Sequence, residues 1–429
     1  MMRLIKFLSI LVVLVGLVCS SIGISLLDGS SVHAGALLDS SAWNYRQRFT
    51  VEGSPDGLQN DYQMKITIHK GSGTINGDDV YLNNHCKDDF SDVRFTDADG
   101  ATSLDYWIEN NTSSTATVWV ELGSVPASPG TADFYIYYDN PSAISASNGS
   151  STFIFFDDFS GTELDTGKWH TTFKDGGGSV VVNGGLCTLQ ANYGIWSSAN
   201  LFSNTEFGTD KMLRAYVRST EASDNHDVGF RPLSDGMWVF NNVVRIENIH
   251  GGTTQFGGDV VQDGVQYDGL MGEADTDWHI YEIEWGARAC EFYVDTSHAA
   301  LAVSPSLDMA VWARAEAGAS FGVRTLKIDW IALSNYTQNE PVISSWGNEE
   351  SGSWDNGKLS SVQIGLLVFG LVLVLVGLAV LFRRRAKVVL GAAVSVVAKA
   401  RGSSLSTQGM VILIIGMIVV IIAVILIFI

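Results

Sequence analysis

From Trp43 to Asn140 the chain alternates apolar and polar residues with a period of two, and no stretch there repeats at a helical period. Arg48-Phe49-Thr50-Val51, Gln63-Met64-Lys65-Ile66-Thr67-Ile68 and Thr117-Val118-Trp119-Val120-Glu121-Leu122 are examples. Successive side chains of a strand point to opposite faces, so this pattern predicts strands with one buried face. Turn-forming clusters separate them: Gly53-Ser54-Pro55-Asp56-Gly57, Asn76-Gly77-Asp78-Asp79 and Asp97-Ala98-Asp99-Gly100. Short strands at this spacing predict a β-sandwich.

Phe134 to Gly161 joins this region to the next. An aromatic strand pattern ends at Asn140-Pro141, a small polar turn follows, and a second aromatic run opens into Asp157-Asp158-Phe159. The last strand of one β domain is expected to feed directly into the first strand of another, which couples the two closely. The fold class predicted is an all-β ectodomain of two sandwiches, flanked by a leader helix and two C-terminal membrane helices.

The ends carry the apolar excess. Hydrophobic residues make up 46% of the 429 and charged residues only 17%. Residues 1–34 read as a secretory leader: Arg3 and Lys6, the apolar run Phe7–Val18, then Val32-His33-Ala34. Cleavage and retention as an uncleaved anchor are both compatible with this pattern. Residues 349–360 form a Gly/Ser/Asn/Asp-rich linker. Residues 361–383 and 409–429 are long and apolar enough to span a bilayer. Between them, residues 384–408 are basic and carry no acidic residue, which places this loop in the cytoplasm and the β domains outside. The net charge of −20 argues against a nucleic-acid partner. Of the four cysteines, Cys19 lies in the leader; Cys187 and Cys290 are open to two readings, a bridge or two separate buried thiols.

Trp43-Asn44-Tyr45-Arg46, Asp92 to Gly100, Tyr106-Trp107-Ile108-Glu109, Val118-Trp119-Val120 and Tyr135 to Pro141 occur in that order. Together, over Trp43 to Phe159, they resemble the family called domain of unknown function 2341. The resemblance implies a secreted or membrane-anchored setting and no activity. The region after it contains Phe156 to Gly161, Val182 to Leu186, Asp277 to Trp285, Glu291 to Asp295 and Leu326 to Ile331. These motifs resemble concanavalin A-like (laminin-G-like) jelly rolls. The expected domains are residues 35–152 and residues 153–348.

A jelly roll of this kind invites comparison with glycoside hydrolase family 16, whose pattern is Glu-x-Asp-x-x-Glu. The best-placed counterpart is Arg245-Ile246-Glu247-Asn248-Ile249-His250, in which Arg245 and His250 replace the outer carboxylates. That implies loss of the two-carboxylate mechanism. What remains is a polar face of Arg245, Glu247 and His250 beside Trp238, suited to sugar hydroxyls and a stacked ring; an ordinary surface ion pair is the plainer reading. Glu282 and Glu284, two apart on one strand, are the other candidate pair for hydrolysis, or simply two exposed side chains. Asp157 and Asp158 are candidate Ca²⁺ ligands, as are the Asp-rich turns, though turn-building explains such residues equally.

The function expected is a membrane-anchored, non-catalytic lectin-like surface protein that binds glycans or another surface ligand in adhesion. The alternatives are a structural envelope or virion spike component and a glycosidase with an atypical carboxylate pair.

Overall fold

The computed structural model describes residues 37–174, 177–192, 197–221, 225–235, 240–248, 254–318 and 322–352. The expected leader, most of the linker and both expected membrane spans lie outside the described residues. Among the described residues, no helix is long and apolar enough to cross a membrane.

Strands β1 (Tyr45–Glu52), β2 (Gln59–His69), β3 (Asp79–Tyr81), β4 (Arg94–Thr96), β5 (Ser103–Leu104), β6 (Tyr106–Asn111), β7 (Thr115–Val125) and β8 (Thr131–Tyr138) come first. A helical turn, Gly149–Thr152, follows, with the Asn148 side chain accepting from the Ser151 amide. The second region opens with β9 (Phe155–Asp157), β10 (Trp169–Lys174), β11 (Gly178–Val182), β12 (Cys187–Ala191) and β13 (Ser197–Phe207). It continues through β14 (Lys211–Ser219), β15 (Asn225–Arg231), β16 (Val243–Asn248), β17 (Gln255–Gln262) and β18 (Val265–Glu273). Then come β19 (His279–Trp285), β20 (Cys290–Val294), β21 (Ser297–Leu301), β22 (Met309–Ala317) and β23 (Arg324–Asn335), and finally β24 (Val342–Trp346) and β25 (Glu350–Ser351).

The first sandwich stacks the sheet β24-β1-β8-β4-β5 on the sheet β3-β2-β7-β6. Alternation decides its core: Ala116, Val118, Val120 and Leu122 of β7 meet Phe49 and Val51 of β1 and Phe134 and Ile136 of β8. The chain expected to belong to the jelly roll up to residue 348 leaves it after Asn335. β24 and β25 return to pair with β1, with Phe49 opposite Trp346 and Arg46 opposite Glu350. The first sandwich is therefore completed by strands from the far end of the second.

The second sandwich stacks a seven-stranded sheet, β10-β13-β22-β15-β16-β17-β18, on an eight-stranded one, β11-β12-β23-β14-β19-β20-β21, with β9 also on β23. This is the jelly-roll arrangement of antiparallel sheets face to face. Cys187 and Cys290 contribute to its core as free, buried thiols, so of the two readings the bridge is not formed. Burial pushes each thiol up to about 12.

Both sandwiches fall within one unit, Ser31–Trp354. They meet through residues facing away from their own cores. Trp107 and Trp119, on β6 and β7 of the first sandwich, pack with Phe153, Phe156, Met212, Trp330 and Tyr336. Trp107 makes edge contacts with both Phe156 and Trp330, with ring centres 5.0 and 5.1 Å apart. Beside this seam Arg214 binds Glu109 of the first sandwich at 3.1 Å and also Glu282 of the second. The eight-stranded sheet thus spends its outer face on the neighbouring sandwich, and the seven-stranded sheet turns its outer face elsewhere.

Candidate functional site: an ionic ladder on the seven-stranded sheet

On β22 the sequence Ala310-Val311-Trp312-Ala313-Arg314-Ala315-Glu316 sends Val311, Ala313 and Ala315 into the core. Period two then puts Ala310, Trp312, Arg314 and Glu316 on the outer face. On β15, Val228 and Phe230 face the core, so Asp227, Gly229 and Arg231 share the outer face with them. On β16, Val244 and Ile246 are core, and Arg245 and Glu247 are outer.

The antiparallel register aligns these residues across the sheet. One line runs Trp312, Gly229, Arg245, Asp259, Asp268 over five adjacent strands. The next runs Asn200, Arg314, Asp227, Glu247, Gly257. Directly opposed side chains on one face of such a pair are close enough for ion pairs.

Arg245 is the hub. Its Nη1 lies 3.0 Å from Asp227 Oδ1, and its Nη2 lies 2.9 Å from Glu247 Oε2 and 2.6 Å from Asp259 Oδ2. Arg314 takes the other oxygen of Asp227 through Nε and also binds Glu316. Two guanidiniums thus serve four carboxylates that are almost wholly buried, while Asp268, at the end of the line, is exposed. Gly229 makes the crossing possible. A Cβ there would stand 2.1 Å from the Val244 carbonyl oxygen and 2.6 Å from Arg245 Cα.

The electrostatics follow from burial with incomplete pairing. Burial works against the charge on Arg245, but Asp227, Glu247 and Asp259 outweigh it and hold the guanidinium ionised well above its ordinary range. Burial would raise Asp227, yet Arg314 and Arg245 bring it below the usual carboxylate value. Asp259 is pushed up to about 7: burial leads, Arg245 opposes, and Glu247 and Asp268 add repulsion. Its Oδ1 is buried without a hydrogen-bond partner. An aromatic floor completes the site. The Phe240 ring centre lies 4.5 Å from the guanidinium carbon of Arg231, 5.1 Å from that of Arg314 and 5.3 Å from that of Arg245.

Of the residues expected to converge here, Arg245 and Glu247 do, and Trp238 and His250 lie outside the described residues. Asp227, Asp259, Arg314, Glu316 and Phe240 escaped the sequence reading. The signal for two of them, Arg314 and Glu316, was the alternation in Met309 to Ala317, where small residues separate a tryptophan, an arginine and a glutamate. Asp227 and Asp259 carry no such mark, because only the pairing register brings them to Arg245.

The other expected site residues make contacts of their own. Asp157 accepts from the Phe159 amide at 2.9 Å and from Trp169 Nε1 at 2.6 Å, and Asp158 accepts from the Ser160 amide at 3.1 Å. Both carboxylates build the turn after β9, and Asp157 anchors a core tryptophan. In the Asp97–Gly100 turn, Asp99 accepts from the Ala101 and Thr102 amides, each at 2.8 Å. Glu282 and Glu284 sit on the eight-stranded sheet at the seam between sandwiches, with Glu282 held by Arg214. Glu284 is pushed up to about 7, first by burial, then by Glu282 and Glu340, with a hydrogen bond to Tyr336 opposing.

Residues 89–172 match the family described as Domain of unknown function (DUF2341). The matched segment begins well after Trp43 and extends past Phe159 into β10, so it straddles the seam between sandwiches. No curated protein matches the sequence. Among solved structures, an endo-acting O-glycanase set from members of the human gut microbiota is similar at 16% identity, covering 43% of this chain and 100% of the other, with a TM-score of 0.37. The laminarinase from Rhodothermus marinus is similar at 16% identity, 43% of this chain and 98% of its own, TM-score 0.36. The Bacillus licheniformis beta-glucanase is similar at 15% identity, 42% and 97%, TM-score 0.34.

Proposed function

We propose that this chain is a surface protein that binds carbohydrate, without cleaving it, through the outer face of its seven-stranded sheet. The observation carrying this reading is the ladder itself: Arg245 and its carboxylates run across five strands beside Phe240 and end in the exposed Asp268. The buried ladder fixes this face of the sheet, and the exposed Asp268 at its end presents a charged acceptor to sugar hydroxyls. Absence of cleavage is supported by Arg245, which grips both Glu247 and Asp259 and so ties up the nearest pair of carboxylates. A role in adhesion, with the β domains held outside the cell by two membrane spans, is supported by the leader-like start, the apolar segments and the basic loop between them.

A glycan array probed with the full-length chain in detergent tests this. Binding to a defined glycan class that falls in an Asp268→Asn variant is the expected result. Silence on every glycan, with and without Ca²⁺, would overturn it. A hydrolytic reading draws on one observation, the elevated Asp259 carboxyl beside Glu247, since carboxyls with separated pKa values divide acid and nucleophile roles. Release of reducing ends by the wild type, lost in Asp259→Asn, would favour it.

A further inference from the structure

The geometry points to a divalent-cation site for a hard ion of the Ca²⁺ class, formed by Glu247, Asp259 and Asp268 at the outer end of the ladder. The three residues come from three adjacent strands, and each offers a carboxylate oxygen within 4.8 Å of the others. Two oxygens on opposite sides of a Ca²⁺, at bonds of about 2.4 Å, stand about that far apart. An all-carboxylate donor set selects hard cations over zinc or copper.

A second observation distinguishes this cluster from an ordinary acidic patch. Asp259 has a side chain only 1% exposed, and Arg245 engages it through Oδ2 alone. Its Oδ1 is buried with no hydrogen-bond partner, and a buried acceptor left unpaired costs about 1–3 kcal/mol. A dication there sets positive charge between three carboxylates and gives the buried oxygen of Asp259 a partner. Asp268 is exposed and gives the ion a route in from solvent.

This site shares Glu247 with the sugar-binding reading and deepens it, since a bound Ca²⁺ with three protein ligands keeps coordination positions that sugar hydroxyls can fill. The two ideas fail separately, because cation binding is measured with no glycan present.

The test is isothermal titration of the chelator-stripped full-length chain with calcium chloride. The expected result is saturable binding that Asp268→Asn weakens on the order of tenfold, because affinity follows ligand charge. Asp268 is exposed, so the variant should keep its circular-dichroism spectrum and metal-free melting temperature. Absence of saturable binding in the wild type would overturn the proposal. Binding of undiminished affinity in Asp268→Asn would overturn it too, by locating the ion elsewhere.

Discussion

Arg245 holds Asp259 by one oxygen: Nε at 2.8 Å and Nη2 at 2.6 Å both meet Oδ2, and Oδ1 is left unpaired. The pairing is lopsided because the same guanidinium must also reach Asp227 and Glu247. A fork with five donors can serve three acids only by giving each less than a full bidentate contact.

Replacing the hub should be costly. Arg245→Met would leave Asp227, Glu247 and Asp259 with less compensation in a buried setting, and breaking a buried pair this way costs about 3–5 kcal/mol. Urea unfolding followed by tryptophan fluorescence should show a lower midpoint. Lysine should not rescue it, because a point charge cannot bridge three carboxylates at once. Full stability in Arg245→Met would mean that the ladder contributes little to the fold.

Gly229→Ala tests the steric side of the same arrangement. The added methyl meets backbone, the Val244 carbonyl and Arg245 Cα, and backbone in a central strand cannot step aside. Overpacking of this sort costs about 1–3 kcal/mol. The variant should melt earlier than wild type; an unchanged melting temperature would show that β15 and β16 can separate without penalty.

The seam between sandwiches should respond to pH through Glu284. Its folded pKa of about 7 stands above the ordinary 4.5. A carboxyl raised in the folded state contributes stability that is complete below pH 4.5 and is lost as pH rises through about 7. Wild-type stability should therefore fall across that window. Glu284→Gln cannot ionise and should flatten the fall, read as melting temperature against pH. The same slope in both proteins would assign the effect to another group.

Arg214 binds Glu109 of one sandwich and Glu282 of the other. Arg214→Ala should leave both acids facing the aromatic seam without their partner and weaken the coupling of the two sandwiches. Scanning calorimetry is expected to broaden or split a single transition into two. A single sharp transition at the wild-type temperature would show that the tryptophan cluster and the returning strand β24 suffice.

Asp157→Asn should destabilise by about 1–3 kcal/mol, since it weakens the acceptor for buried Trp169 Nε1. Because that carboxylate builds a turn, the difference from wild type should be the same with and without chelator. Chelator-dependent melting that vanishes in this variant would return the cation to Asp157.

The period-two alternation was enough to indicate sheets, because a strand facing a core must sort its side chains by face, and that sorting is written in neighbouring residues. The jelly-roll strands around Tyr281 and Ile328 were legible through motifs that resemble concanavalin A-like domains. The aromatic junction at Phe153 to Phe159 was visible as well, and it does form part of the seam. The return of Val342–Trp346 to the first sandwich was not legible, since an isolated edge strand looks alike whichever sheet receives it.

Local sequence alone settled which residues of each strand share a face, and hence that Arg245 and Glu247 stand together, because their neighbours in the chain fix the direction of each side chain. Tertiary structure alone decided that Asp227, Asp259 and Asp268 join them and that Glu282 is consumed by Arg214. Those partners lie on other strands, and the register that sets them opposite one another is a property of the assembled sheet, with no trace in the spacing along the chain.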